Sequence, residues 1–143
     1  ALSVALVGLA AALPGLAEAQ TTPVGLWKTI DDETKAEKSL VRVTESAGTL
    51  TGRIERLLDP SKQDAKCDKC SDARKDQPVS GMTIITGVRA SDDKSLWEGG
   101  EILDPNNGKT YRTRLKPIEG GKKLEMRGYV GFFYRTQVWV RVE

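Results

Sequence analysis

The chain has 143 residues, with 22 lysines and arginines against 20 aspartates and glutamates, and no histidine. Basic and acidic residues alternate along it, so the charge pattern of a nucleic-acid or anionic-membrane binder is missing. The absence of histidine excludes Ser-His-Asp and Cys-His relays, His-ligated zinc and c-type haem. We therefore expect no cofactor, no metal centre and no catalytic residues.

The first nineteen residues differ in composition from the rest of the chain. An apolar run from Leu2 to Leu13 is broken at Pro14, and Ala17 to Ala19 supplies the small residues that a signal peptidase reads. The run is shorter than the roughly 20 residues needed to span a bilayer. We expect a signal peptide over 1–19, truncated at its start, and one mature domain over 20–143 that is periplasmic or secreted and has no membrane span.

From Pro23 onward, short alternating stretches bounded by Gly, Pro, Asn and Asp predict an all-β domain. No window shows sustained helical periodicity. The predicted strands, in chain order, are Val24–Ile30, Ser39–Thr44, Thr49–Leu58, Met82–Ala90, Ser95–Leu103, Lys109–Lys116, Lys122–Tyr129 and Tyr134–Val142.

Period-two alternation assigns one side of several strands to the interior, because successive strand side chains point to opposite faces. The residues predicted to face inward are Met82, Ile84, Thr86 and Val88; Tyr111, Thr113 and Leu115; Leu124, Met126 and Gly128; and Val138, Val140 and Val142. On the last strand this choice leaves Gln137, Trp139 and Arg141 on the outer face.

Most connections between the predicted strands are short and rich in turn residues, which predicts antiparallel neighbours. Eight such strands avoid two open edges by closing into an up-and-down barrel, whose interior holds packed side chains or one small ligand. A two-sheet sandwich is the alternative. In the barrel, the candidate pocket residues are Met82, Ile84, Tyr111, Met126 and Tyr129.

One connection, residues 59–81, is far longer than usual loops and is either functional or an excursion with its own short helix. It contains Cys67 and Cys70, which an oxidising compartment would join in a disulfide worth about 2 kcal/mol. A redox dithiol is the alternative, since nearby basic side chains favour the thiolate. A metal site would need further soft ligands, which the chain lacks.

Two aromatic features complete the candidate sites. In a closed barrel the first and last strands are neighbours, so Trp27 is within reach of Arg135 or Arg141, whose cation–π contact would close the barrel structurally. Simple burial of Trp27 in the core is the alternative. Residues 128–134 place four aromatics near one hairpin, either as a binding lip or packed against the barrel end.

Six blocks, in order, carry a resemblance to a known family: GLWKTIDDET, TGRIERLLDP, CDKCSDARKDQPVSGMTII, EGGEILDPNNGKTYRTRLK, LEMRGYVGFF and RTQVW. Across almost the whole mature chain they resemble the bacterial domain of unknown function 2147 family. That resemblance implies a small exported single-domain protein with no established activity. More distantly, the Gly-x-Trp opening and late Arg are similar to the calycin pattern of lipocalins, implying a calycin-like barrel closed by Trp27 with Arg135 or Arg141.

Three functions follow from these observations. The first is a non-enzymatic module that binds a small apolar or amphipathic ligand inside the barrel. The second is an envelope protein–protein interaction module with a solid barrel, which uses residues 59–81 and the aromatic hairpin as its contact surface. The third is a periplasmic thiol–disulfide redox factor that uses Cys67 and Cys70.

Overall fold

The computed structural model describes residues 21–143, so the predicted signal peptide lies outside the described residues. Eight antiparallel strands follow one another around a closed barrel, and β1 pairs with β8 to complete it. The strands are β1 Gly25–Ile30, β2 Glu37–Ser46, β3 Thr49–Leu57, β4 Thr83–Ala90, β5 Trp97–Asp104, β6 Lys109–Ile118, β7 Lys123–Val130 and β8 Phe133–Arg141. The prediction of an all-β, eight-stranded antiparallel up-and-down barrel is confirmed.

The barrel is packed solid at one end. That end holds the first residues of β1, the β2–β3, β4–β5 and β6–β7 connections and the chain terminus at 143. Fully buried side chains fill it, namely Trp27, Val41, Val43, Leu50, Val88, Leu115 and Leu124. We call it the closed end. Among the described residues, no helix has the length and apolar character to cross a membrane.

The inward face predicted for β8 is wrong. Val138, Val140 and Val142 are exposed, whereas Trp139 is buried and faces the interior together with Gln137. Burying an indole removes far more apolar surface from water than burying a valine, and β-branched valine is well suited to an exposed strand position. The strand therefore adopts the phase that puts its tryptophan inside.

The inward face predicted for β4 is interrupted at Thr86, which is exposed. The register between β3 and β4 shifts twice, and Gly87 has a φ of +72°. Such irregularities insert a bend that breaks the two-residue alternation. As a result Ile84 and Ile85 are both buried although they are consecutive.

The long connection between β3 and β4 has a compact structure of its own. It begins with a single 3₁₀ turn over Pro60–Lys62, in which the Ser61 backbone N–H donates to the Asp59 carboxylate. An isolated antiparallel bridge joins Lys66 to Pro78 and folds the segment back on itself. This excursion, residues 58–82, stands at the end of the barrel opposite the closed end.

Candidate functional site

A cavity of about 320 Å³ occupies the half of the barrel away from the closed end. Its volume lies at the small end of the range for ligand pockets, about 300–1,000 Å³. It opens between the β1–β2, β5–β6 and β7–β8 connections, and we call this opening the mouth. The mouth is formed by Asp31, Asp32, Asp104, Pro105, Asn106, Asn107 and Val130.

The inner part of the cavity is apolar. Its side chains come from five strands, and each is almost completely withdrawn from water: Ile54, Ile84, Ile102, Leu103, Met126 and Trp139. Strand alternation accounts for Met126 and Trp139, which occupy inward positions on β7 and β8. An apolar group of a ligand would therefore meet only hydrocarbon, thioether and indole surface here.

A chain of hydrogen bonds links this apolar part to the mouth. Trp139 donates its indole N–H to Gln137 Oε1 over 2.9 Å, and Gln137 Nε2 donates to Asp32 Oδ1 over 3.3 Å. Arg135 then donates two hydrogen bonds to the same carboxylate, over 2.8 and 3.0 Å. The Asp32 hydrogen bonds raise the pKa of the Arg135 guanidinium above its ordinary value.

Further polar groups line the cavity between these two parts. The hydroxyl groups of Thr29 and Ser39 are both buried and form a hydrogen bond with each other over 2.7 Å. At the mouth, Asn107 Nδ2 donates to the Tyr111 hydroxyl over 2.8 Å. The cavity therefore grades from apolar to polar along its length.

Asp31 holds the shape of the β1–β2 connection. Its carboxylate accepts the backbone N–H groups of Thr34 and Glu33 over 2.8 and 2.9 Å. These hydrogen bonds, with a smaller contribution from the charge of Lys38, hold the pKa of Asp31 below its ordinary value. Asp31 is thus a structural anion at the mouth and is poorly suited to act as an acid.

Of the five predicted pocket residues, Ile84, Tyr111 and Met126 line the cavity. Met82 and Tyr129 lie elsewhere. Met82 is the last residue of the excursion and is buried, with backbone hydrogen bonds to Val79 and Ile54. Tyr129 follows Gly128, an inward position of β7, so it points to the outer face, where its ring lies 6.2 Å from that of Tyr134.

The polar side of the cavity was missed by the sequence analysis. Asp32 lies in a short connection, where a carboxylate is usually solvated, and Gln137 was assigned to the outer face. The signal that could have found Gln137 is the predicted contact of Arg141 with Trp27, because an inward Arg141 forces Trp139 and Gln137 inward as well.

Arg141, and not Arg135, covers Trp27. Its guanidinium lies 4.2 Å from the Trp27 ring centroid and donates to the carbonyls of Gly121, Val24 and Thr22 over 2.5 to 2.9 Å. The Trp27 N–H in turn donates to the Pro23 carbonyl over 2.7 Å. Burial lowers the pKa of Arg141 below its ordinary value. Arg135 lies at the mouth, on Asp32.

Cys67 and Cys70 form a disulfide with an S–S distance of 2.02 Å, and both residues are buried. The segment packs against the β5–β6 connection, where Cys67 Sγ lies 3.7 Å from the Pro105 carbonyl oxygen. A Cβ added at Gly108 would lie 1.9 Å from the Lys69 carbonyl oxygen, so only glycine fits there. The part of the excursion that carries the disulfide therefore lies beside the mouth.

Within residues 21–143, no group of three or more His, Cys, Asp or Glu side chains is placed to hold a metal ion. The site described here is a cavity with hydrogen-bonding groups at its opening. Its arrangement is suited to enclosing a molecule, and it brings together no nucleophile with a general base.

Comparison with known proteins places this barrel in context. A solved structure of a protein from the human pathogen Helicobacter pylori, described as belonging to the lipocalin family, superimposes with a TM-score of 0.73 at 20% sequence identity. The match covers 86% of this chain and 84% of that one, and it shows a shared fold. No curated protein sequence matches the chain. A family model described as "Uncharacterized protein conserved in bacteria" matches residues 25–141, and the chain belongs to this family, DUF2147.

Proposed function

We propose that the protein is a non-enzymatic binding protein for a small amphipathic ligand, held with its apolar part inside the barrel and its polar part at the mouth. The observation that carries this proposal is the cavity of about 320 Å³ with an apolar interior and a hydrogen-bonding opening. Pockets of this character are the usual sites of small-molecule binding. The lipocalin-like barrel supports it as an analogy of fold.

The polar groups at the mouth suit a head group that both donates and accepts hydrogen bonds. Lys38 and Arg135 bring positive charge, and Asn107 brings an amide. Asp31, Asp32 and Asp104 bring negative charge. Asp32 already satisfies two hydrogen-bonding groups of Arg135, so the pair presents little net charge to a ligand. We therefore favour a neutral or zwitterionic head group over a strongly charged one.

A periplasmic or secreted location is part of the proposal. It is supported by the composition of residues 1–19 and by the Cys67–Cys70 disulfide, which persists in oxidising compartments. Burial of both cysteines supports a structural disulfide over the redox alternative, because a partner thiolate must reach a sulfur atom to exchange with it. Cell fractionation of the native host would test the location.

The ligand proposal is tested by filling the cavity. Gly128 lines it, and a Cβ added there meets only the Tyr111 Cβ, at 3.8 Å, so a side chain can project into the cavity without backbone strain. We expect Gly128→Leu to abolish binding of N-phenyl-1-naphthylamine, an uncharged apolar fluorescent probe, and Gly128→Ala to retain it. Fluorescence titration measures both.

Native mass spectrometry of protein purified from its own host would identify a natural ligand. We expect a bound small molecule on the wild-type protein and none on Gly128→Leu. A wild-type protein that is repeatedly empty, and that binds the probe no better than Gly128→Leu does, would contradict the proposal.

A further inference from the structure

The β7–β8 hairpin ends in a group of exposed apolar side chains next to the mouth. Phe132 is fully exposed and Phe133 is 79% exposed, while Val130 and Tyr134 are each half or more exposed. We call residues 130–134 the aromatic tip. Exposed apolar groups of this kind mark surfaces that contact a protein or a membrane.

The turn itself does not require aromatic residues. Val130 and Phe133 pair across a two-residue connection, and Gly131 supplies the positive φ, +58°, that a type II′ turn needs at its first position. A polar residue would serve equally well at position 132. The two phenylalanines expose most of their side-chain surface to water, which points to a role outside the barrel.

An apolar strip connects the tip to the cavity. Directly paired residues share a face of the sheet, so Phe133 lies on the same face as Val130, which lines the cavity mouth. Met126 and Gly128 continue that face into the cavity. An apolar molecule leaving the cavity along β7 would remain in contact with apolar surface as far as the tip.

The outer face of the hairpin is stiffened. The Tyr129 and Tyr134 rings lie 6.2 Å apart, and the Arg127 guanidinium lies 4.0 Å from the centre of the Tyr134 ring. Aromatic and cation–π contacts of this kind restrict the strands that carry them. The hairpin thus holds Phe132 and Phe133 out from the barrel wall.

The size and charge of the tip favour a bilayer over a protein surface. A stable protein interface buries about 800 Å² on each partner, well above the area that two phenylalanines of about 150–250 Å² each supply. The neighbouring acids Asp32 and Glu33 are paired with Arg135 over 2.8 and 3.1 Å. The docking force is therefore apolar and not electrostatic.

We infer that the aromatic tip inserts Phe132 and Phe133 into the interface of a lipid bilayer and thereby sets the cavity mouth against the membrane. The bilayer is then the source or destination of the ligand; this last step rests on the proposed function, whereas the docking does not. Apolar side chains that lie at the boundary of head groups and acyl chains bind reversibly in this way.

The test is binding of the purified protein to vesicles of phosphatidylcholine alone and of phosphatidylcholine mixed with phosphatidylglycerol. We expect similar binding to both, with little dependence on salt. Each of Phe132→Ser and Phe133→Ser should lower the affinity by about tenfold, and the double variant by more. Phe132→Trp serves as a reporter, since its indole should be quenched by brominated lipid.

The matched control is Val138→Ser combined with Val140→Ser, which removes two exposed apolar side chains from the outer wall of the same strand. It should bind vesicles as the wild type does. The inference is overturned if the wild-type protein binds neither kind of vesicle, or if the double phenylalanine variant binds vesicles with the wild-type affinity. Gly128→Leu separates the two proposals, because it should no longer bind the fluorescent probe but should still bind vesicles. The phenylalanine variants should still bind the probe but should bind vesicles more weakly.

Discussion

The two ends of this barrel are built from the same eight strands but are held together differently. At the closed end, β1 and β8 are joined by backbone pairing at Trp27–Arg141 and Lys28–Val140, beside a core of fully buried side chains. Toward the mouth, side chains link β8 to the β1–β2 connection, with Arg135 and Gln137 on Asp32. The barrel thus concentrates its stability at one end and leaves the other free to enclose a ligand.

This contrast has an energetic basis. Backbone ladders and a filled core depend on groups that are buried, so removing one leaves a void or an unsatisfied group. A partly exposed ion pair such as Asp32–Arg135 contributes little, because water solvates the guanidinium when the two partners separate. Substitutions at the closed end should therefore cost stability, and those at the mouth should alter binding.

The largest effect is expected at Trp27. Trp27→Ala removes a fully buried indole and its hydrogen bond to Pro23, and it should lower the free energy of unfolding by about 3–5 kcal/mol. Trp139→Ala should cost less, because one side of that ring already faces the cavity. Urea unfolding of both variants measures the difference, and equal losses would show that the two ends are equally packed.

The two arginines of β8 compare the ends directly. Arg141→Leu removes the contact with Trp27 and hydrogen bonds to three carbonyls, and should cost about 2–3 kcal/mol. Arg135→Leu removes a partly exposed ion pair and should cost less than about 1 kcal/mol. Chemical denaturation measures the free energy of unfolding of both variants. Arg141→Lys is the control that retains the positive charge but loses the planar guanidinium contact with Trp27. A loss at Arg135 as large as that at Arg141 would show that side chains stabilise the two ends equally.

The same strand shows what could be predicted from sequence and what could not. The barrel followed from strand spacing and turn residues, and a contact of Trp27 with Arg135 or Arg141 followed from the adjacency of the first and last strands. The inward face of β8 did not, because alternating valines and alternating larger residues give the same period-two pattern. Choosing between the two sets requires knowing which one contacts residues in the barrel interior.

The cavity was harder to predict than the barrel. Tyr111 and Met126 were identified because they alternate cleanly on their strands, and Ile84 was identified although the alternation of β4 breaks beside it. Ile54 and Ile102 were left unassigned although they also line the cavity. Asp32 belongs to a connection, whose side-chain positions depend on the fold around it. Residues that come together only through closure of the barrel leave no periodic signal.

The disulfide is expected to have an intermediate effect. Replacing Cys67 and Cys70 by serine opens a short ring and should lower the free energy of unfolding by about 2 kcal/mol in the chain-entropy model. Because the excursion borders the mouth at Pro105, probe binding should weaken in the same variant. Thermal unfolding and fluorescence titration measure the two effects. Unchanged probe binding would show that the excursion does not support the mouth.

The smallest effect is expected at Asp72, on the surface of the excursion. Its hydrogen bonds with the Arg74 side chain, and then with the Arg74 backbone, lower the pKa of Asp72 to about 2. Because the folded pKa lies below the unfolded value of about 3.9, this carboxylate stabilises the fold above that value and ceases to do so as the pH falls through about 2. Wild type should exceed Asp72→Asn in Tm at neutral pH by a small margin that disappears in acid. Asp64→Asn, another exposed carboxylate of the excursion, is the control, and a margin that does not change with pH would show that the Asp72 charge has no part in holding the excursion.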